Sequence, residues 1–175
     1  MMTETDLLVR RGLVELLPRL RRFALVLTGN QADADDLTQA GIERALERTH
    51  QYRPAYKLET WIYKIMQNMW IDQMRKAVRR GPHVELEHAA QAVGEDGRKT
   101  LEVSDMLNQV RAAIETLPED QRAVVGLVLV DGQSYKDAAE ILGAPVGTIM
   151  SRLSRARHKI MASVGATSLS SESGL

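Results

Sequence analysis

The sequence predicts an all-α chain made of two small helical domains joined by a polar tether. Apolar residues recur at three- and four-residue spacing through nearly every segment. No stretch shows the alternation of a half-buried strand. Between Gly81 and Asp105 the large apolar residues thin out, while glycines and charges accumulate.

The elements follow in order. Leu13, Leu16, Leu17, Leu20, Phe23, Ala24 and Leu27 line one face of a first helix, stopped at Gly29-Asn30. Pro18 falls inside it and should kink the helix or start a new one, because proline lacks an N–H and clashes with the preceding turn. A second helix runs over 31–49, with Asn30 or Asp33 near its start. "HQYRPAYKLE" is a loop. A third helix places Leu58, Trp61, Ile62, Ile65, Met69 and Asp72 at helical spacing. After the tether come "MLNQVRAAIETL" and "PEDQRAVVGLVLV", the latter with Pro118 at its first position. Ser134 and Asp137 resemble a capping box opening a helix to Leu142. Gly143-Ala144-Pro145 then breaks the chain before a last helix over 146–164. The tail "SVGATSLSSESGL" reads as disordered from its serines and glycines.

Bulk composition narrows the function classes. The chain has 175 residues, 23 Lys+Arg and 23 Asp+Glu, so net charge says nothing about partners and charge distribution must. It has no cysteine, hence no disulfide and no cysteine-held metal. The expectations are no signal peptide, no membrane insertion and a cytoplasmic location. His50, His83, His88 and His158 are scattered. His83 and His88 beside Glu85 and Glu87 are better read as polar linker than as a metal site. No phosphate loop and no nucleophile–base pair is visible, so neither an enzyme, a cofactor nor a small-molecule substrate is expected.

Cations collect in two acid-free runs, Arg75-Lys76 with Arg79-Arg80, and Arg152, Arg155, Arg157 with Lys159. Each alone reads as a solvated helix face or as a contact with a polyanion. For the second run the surroundings favour the polyanion. A helix to Leu142, the glycine turn, small Ala139 where two helices should cross, and the inner residues Ile141, Leu142, Val146, Ile149, Leu153 and Ile160 form the pattern of a helix-turn-helix. In that motif the second helix enters the major groove. Its outer residues Thr148, Ser151 and Ser154 offer short hydroxyls, and Arg152 and Arg155 can fork onto guanine or phosphate. Arg157 lies where the helix should meet backbone.

Aromatics are only 4% of the chain. Most cluster at Tyr52, Tyr56, Trp61, Tyr63 and Trp70, beside Lys64 and the first basic run. Aromatics with cations hold unpaired bases by stacking and phosphate attraction. Trp61, Tyr63 and Trp70 also suit an ordinary helical core. Gln67 and Asn68 can read base edges, and Asp72 can orient an arginine. Asp35, Asp36, Gln39 and Glu43 form an acidic stripe, either a solvated face or a docking surface.

In the segments "ADADDLTQAGIERAL", "YKLETWIYKIMQNMWIDQMRK" and "LPEDQRAVVGLVLVDGQSYKDAAEILGAPVGTIMSRLSRAR" the chain resembles the extracytoplasmic-function (ECF) sigma factors of bacterial RNA polymerase, within the sigma-70 family. The resemblance implies sigma region 2 over 10–80, a flexible linker over 81–103, sigma region 4 over 104–164 and a disordered tail over 165–175. It implies promoter-specific transcription initiation with core RNA polymerase, contacted at its clamp helices and flap. It further implies a place on the nucleoid when polymerase-bound and an anti-sigma factor that holds the protein inactive. By position, Asp35, Asp36, Gln39 and Glu43 fall on the core-docking helix. The loop from His50 to Leu58 falls where a flipped base is captured. Trp61, Lys64, Gln67, Asn68, Asp72, Arg75, Lys76 and Arg79 fall on the −10-reading helix. Thr148, Ser151, Arg152, Ser154, Arg155 and Arg157 fall on the −35-reading helix. Met150 stands where the family commonly has Lys or Arg. Other readings of the same residues are a one-component helix-turn-helix regulator and a sigma-like decoy that binds an anti-sigma factor.

Overall fold

Thr3 opens the first helix with a reciprocal cap: its hydroxyl accepts from the Asp6 N–H at 3.1 Å, and its own N–H donates to Asp6 at 2.8 Å. In the computed structural model, which describes residues 3–81 and 98–172 and side chains of 3–81 and 104–165, this helix α1 spans Glu4–Thr28. Pro18 sits inside it without starting a new helix. The carbonyl that loses its partner belongs to Val14, which is exposed, so water can satisfy it. The helix stops at Gly29, whose positive φ of 79° turns its N–H onto the Leu25 carbonyl at 2.9 Å.

Asn30 caps α2, Gln31–Glu47, by accepting from the Asp33 N–H at 2.9 Å. A short 3-10 turn, Thr49–Gln51, leads into the loop before α3, Leu58–Arg80. Gly41 lets α2 and α3 close up: a Cβ there would lie 2.7 Å from Met66 Cγ. The buried face of α3 is Thr60, Ile62, Tyr63, Met66 and Gln67. The expected Leu58, Trp61, Ile65 and Met69 are only partly buried beside it. The true face is therefore rotated toward Tyr63, whose ring meets Phe23 edge-on at 5.0 Å.

The second half begins earlier than composition suggests, with α4 at Arg98–Glu115. The tether from 82 to 97, with His83 and His88, lies outside the described residues. Pro118 precedes α5, Glu119–Val124, as its cap rather than as its first helical residue. A π-helical turn over Val125–Val130 continues it. Ser134 opens α6, Tyr135–Leu142, by accepting from the Asp137 N–H at 3.0 Å. The Asp137 carboxylate accepts from the Ser134 hydroxyl at 2.7 Å instead of from its N–H, which makes half a capping box. Gly143, at φ 61°, ends α6 as expected. The last helix, α7, runs Val146–Glu172. It passes Val164, where the expected helix ends, and takes in much of the segment whose composition points to disorder. Extending a nucleated helix costs far less than starting one. Ile141, Ile149, Leu153 and Ala156 form the inner face of the α6–α7 pair. Val146, expected there, is exposed at the first turn of α7.

Among the described residues there are helices and turns but no strand. One continuous apolar core runs through both halves. α1 touches α2 and α3 on one side and α5 with the π turn on the other, and α3 packs on α6. Gly126 makes the contact between α1 and the π turn possible, since a Cβ there would stand 2.9 Å from the Phe23 ring and 3.3 Å from Val26. Arg122 seals it by donating to the C-terminal end of α1, where the last carbonyls lack helical partners, at the Leu27 carbonyl, 2.9 Å away.

Candidate nucleic-acid interface

A helix turns about 100° per residue, so Trp61, Lys64, Asn68, Asp72, Arg75, Lys76 and Arg79 form one stripe along α3. All but the partly buried Trp61 are exposed. Gln67 does not belong to that stripe. It is 5% exposed, faces inward, and its Oε1 has no hydrogen-bond partner. Adjacent helical residues face different ways, so Asn68 reaches solvent while the Gln67 amide, expected to read base edges, does not.

At the N-terminal end of the stripe lies a cup of about 310 Å³, walled by Tyr52, Arg53, Tyr56, Lys57, Trp61 and Lys64. The Tyr52 and Trp61 rings stand 5.2 Å apart with planes tilted by 45°. Tyr52 donates its hydroxyl to the Tyr56 carbonyl at 2.8 Å, which fixes the loop. Burial raises the pKa of that phenol, so it stays a donor. Of the two remaining aromatics, Tyr63 is fully buried in the core and cannot meet a base, and Trp70 is partly buried against the core, outside the cup.

The second cationic face is on α7. Ser151, Ser154, Arg155 and Arg157 are exposed, and Thr148 is half-buried. Arg155 and Arg157 make no ion pair among the described residues. Arg152 differs: its Nε lies 2.9 Å from Asp120 of α5. Ser151 bonds back to the Thr148 carbonyl at 3.0 Å.

On α2, Asp36, Gln39 and Glu43 are exposed. Gln39 donates to Glu43 at 2.9 Å. Asp35 is half-buried and pairs with Arg21 of α1 at 3.3 Å. The stripe therefore faces away from the core, whose contacts come from Ala34, Leu37, Thr38, Gly41 and Ala45.

The strongest electrostatic feature escaped the sequence reading. Arg19 of α1 forks onto Asp131 at 2.9 Å through both Nε and Nη2, and onto Glu59 at 2.8 Å through Nη1. Gln133 donates to Asp131 at 2.7 Å. Hydrogen bonds to both carboxylates raise the Arg19 pKa. Burial opposes ionisation of Asp131, but donors from Arg19 and Gln133 outweigh it and hold that carboxyl below its ordinary range. Arg19 likewise lowers Glu59. The Tyr63 hydroxyl is buried without a partner of good geometry. Burial, then the nearby Asp131 carboxylate, pushes it well above the ordinary phenol range. No sequence signal announces a group whose members lie 40 and 112 positions apart.

Two family models match the chain: sigma-70 region 2 over residues 13–80, and sigma-70 region 4 over residues 107–160. The ECF RNA polymerase sigma factor EcfG of Rhodopseudomonas palustris is 38% identical over 155 residues, covering 88% of this chain and 83% of the relative.

This chain is an ECF sigma factor.

The ECF sigma-E factor of Escherichia coli is 32% identical over 137 residues, 73% of this chain and 72% of the relative. Among solved structures, the sigma factor RpoE of Bartonella quintana, crystallised with the anti-sigma factor NepR, matches with a TM-score of 0.75. Its identity is 31%, over 89% of this sigma factor and 96% of that chain. CnrH, solved with the cytosolic domain of CnrY, shares the fold at a TM-score of 0.62 and 22% identity. As a sigma factor, the protein works by joining RNA polymerase and directing promoter-specific initiation. Among the described residues no group of side chains suits a metal ion, and no helix is long and apolar enough to cross a membrane.

Proposed function

We propose that residues 10–80 open and read the −10 element and that residues 104–164 read the −35 element. The observation that carries the reading is the stripe on α3. Trp61, Lys64, Asn68, Asp72, Arg75, Lys76 and Arg79 run continuously from an aromatic cup into a row of cations. A cup with two aromatic walls takes an unpaired base, and the row of cations follows the phosphates. Gln67 backs the stripe from inside. On α7, Thr148, Ser151, Ser154, Arg155 and Arg157 present the duplex-reading surface, joined by Arg152 once it leaves Asp120. Asp35, Asp36, Gln39 and Glu43 offer the polymerase clamp helices an acidic face, and region 4 meets the flap. A NepR-like anti-sigma factor fits the likeness to the Bartonella quintana sigma factor. The working place is the cytoplasm, at the nucleoid when polymerase is bound.

The test is Asn68→Ala, an exposed residue whose loss should leave the fold intact. The variant should join core polymerase and the closed promoter normally, yet give fewer permanganate-reactive thymines near the start site. Transcription should recover on a template with a pre-melted bubble. Equal failure on duplex and bubble templates by a folded variant would remove Asn68 from strand opening.

A further inference from the structure

We propose that α6 is an internal blocker of the single-strand cup, held in place by the Arg19 ion network. The proposal rests on the reading of the cup as a single-strand site. Asp137 sets both carboxylate oxygens 3.0 Å from Lys57 Nζ. Glu140, one turn further along α6, stands in the wall of the same cup. Two carboxylates thus occupy the cationic mouth that a strand's phosphates would need. The Asp137 carboxyl is held below its ordinary range, first by the Ser134 hydroxyl and then by Lys57, so it keeps its charge at neutral pH.

The hold extends well beyond that surface pair. Arg19 ties α1 to Asp131, whose side chain is only 2% exposed. Gln133 donates to both Asp131 and Glu59, at 2.7 and 3.3 Å, bridging the two halves a second time. Gly126 seats against Phe23 and Val26 with no room for a methyl group. Charge-assisted forks and close packing of this kind resist separation far better than one exposed ion pair. Because strand and α6 claim the same cations, each weakens the other by the same factor. A chain closed nine-tenths of the time would lose about tenfold in apparent affinity for the strand.

The full chain suits the experiment because it has no native cysteine. Spin labels at Ala32→Cys on α2 and Met161→Cys on α7, both exposed sites, report the separation of the halves. The parent chain should give one short distance. Asp131→Asn with Asp137→Asn should add a longer population and tighten binding of a single-stranded oligonucleotide about tenfold by anisotropy. A control that neutralises two other exposed acids, Asp105→Asn with Glu47→Gln, should change neither reading. Exchanging charges, Lys57→Asp with Asp137→Lys, should keep the short distance, whereas Asp137→Lys alone should lengthen it. Unchanged distances in the neutralised variant would overturn the latch. Lengthened distances with unchanged affinity would overturn the block. If neither chain binds the strand while the distances lengthen, the single-strand reading of the cup falls and takes the block with it.

Discussion

Arg152 and Arg155 lie on the same helix and carry the same group, yet their environments predict unequal effects on −35 recognition. Arg155 is exposed and without an ion pair among the described residues. Its full fork is available, worth about 1–3 kcal/mol against a guanine. At about 1.4 kcal/mol per tenfold, Arg155→Ala should weaken upstream-element binding roughly five- to 150-fold. Arg152 must first leave Asp120, 2.9 Å away, with side chains 26% and 45% exposed. A pair that open to solvent is worth up to about 1 kcal/mol, so Arg152→Ala should cost correspondingly less. Asp120→Asn removes the competitor and should tighten the upstream contact up to about fivefold. The assay is binding of reconstituted holoenzyme to a promoter with its upstream element intact or scrambled, each variant against wild type. All three effects should vanish on the scrambled site. A larger loss from Arg152→Ala than from Arg155→Ala, with no response to Asp120→Asn, would show that the Asp120 pair does not hold Arg152 back.

Phe23→Ala should lower stability by about 3–5 kcal/mol in thermal or denaturant melts, because the ring is fully buried between Tyr63 and the α5 side of the core. Acid should weaken the closed packing. Asp131, Glu59 and Asp137 all have folded pKa values below their ordinary 3.8 or 4.5. They bind protons less readily folded than unfolded, so their contribution is complete above the unfolded values and drains as pH falls through the folded ones. Melting temperature should therefore fall below about pH 4, and fall less steeply in Asp131→Asn. The isolated protein should bind duplex DNA weakly and lose that binding steeply as salt rises, since each face offers few phosphate contacts.

The helical class, the helix-turn-helix and the two cationic faces were legible because they rest on local period and turn chemistry. Gly143 ends α6 where a left-handed residue was needed, and Ile149 and Leu153 fall inside as their spacing requires. Period alone misjudged α3, where Tyr63 and Met66 take the core and Trp61 stays at its edge. Tertiary contact with Phe23 decides that rotation, and no single-helix pattern contains it. Pro18 failed to divide α1 because Val14 faces solvent, a fact of burial that sequence does not state. The packing of the two halves was invisible for the same reason. It depends on Arg19, Glu59 and Asp131, whose meeting only the fold arranges. Arg152 read as a free cation, since Asp120 lies on another helix.

The central claim is that this chain gives core RNA polymerase a promoter specificity built from two elements. The most direct measurement is transcription by core polymerase on a library of random promoters, with and without the protein, followed by sequencing of transcript 5′ ends. The account predicts start sites that appear only with the protein and share two spaced motifs. The upstream motif should lose its enrichment in Arg155→Ala, and the downstream one in Asn68→Ala. No new start sites, or tight sequence-specific duplex binding by the protein without polymerase, would contradict it.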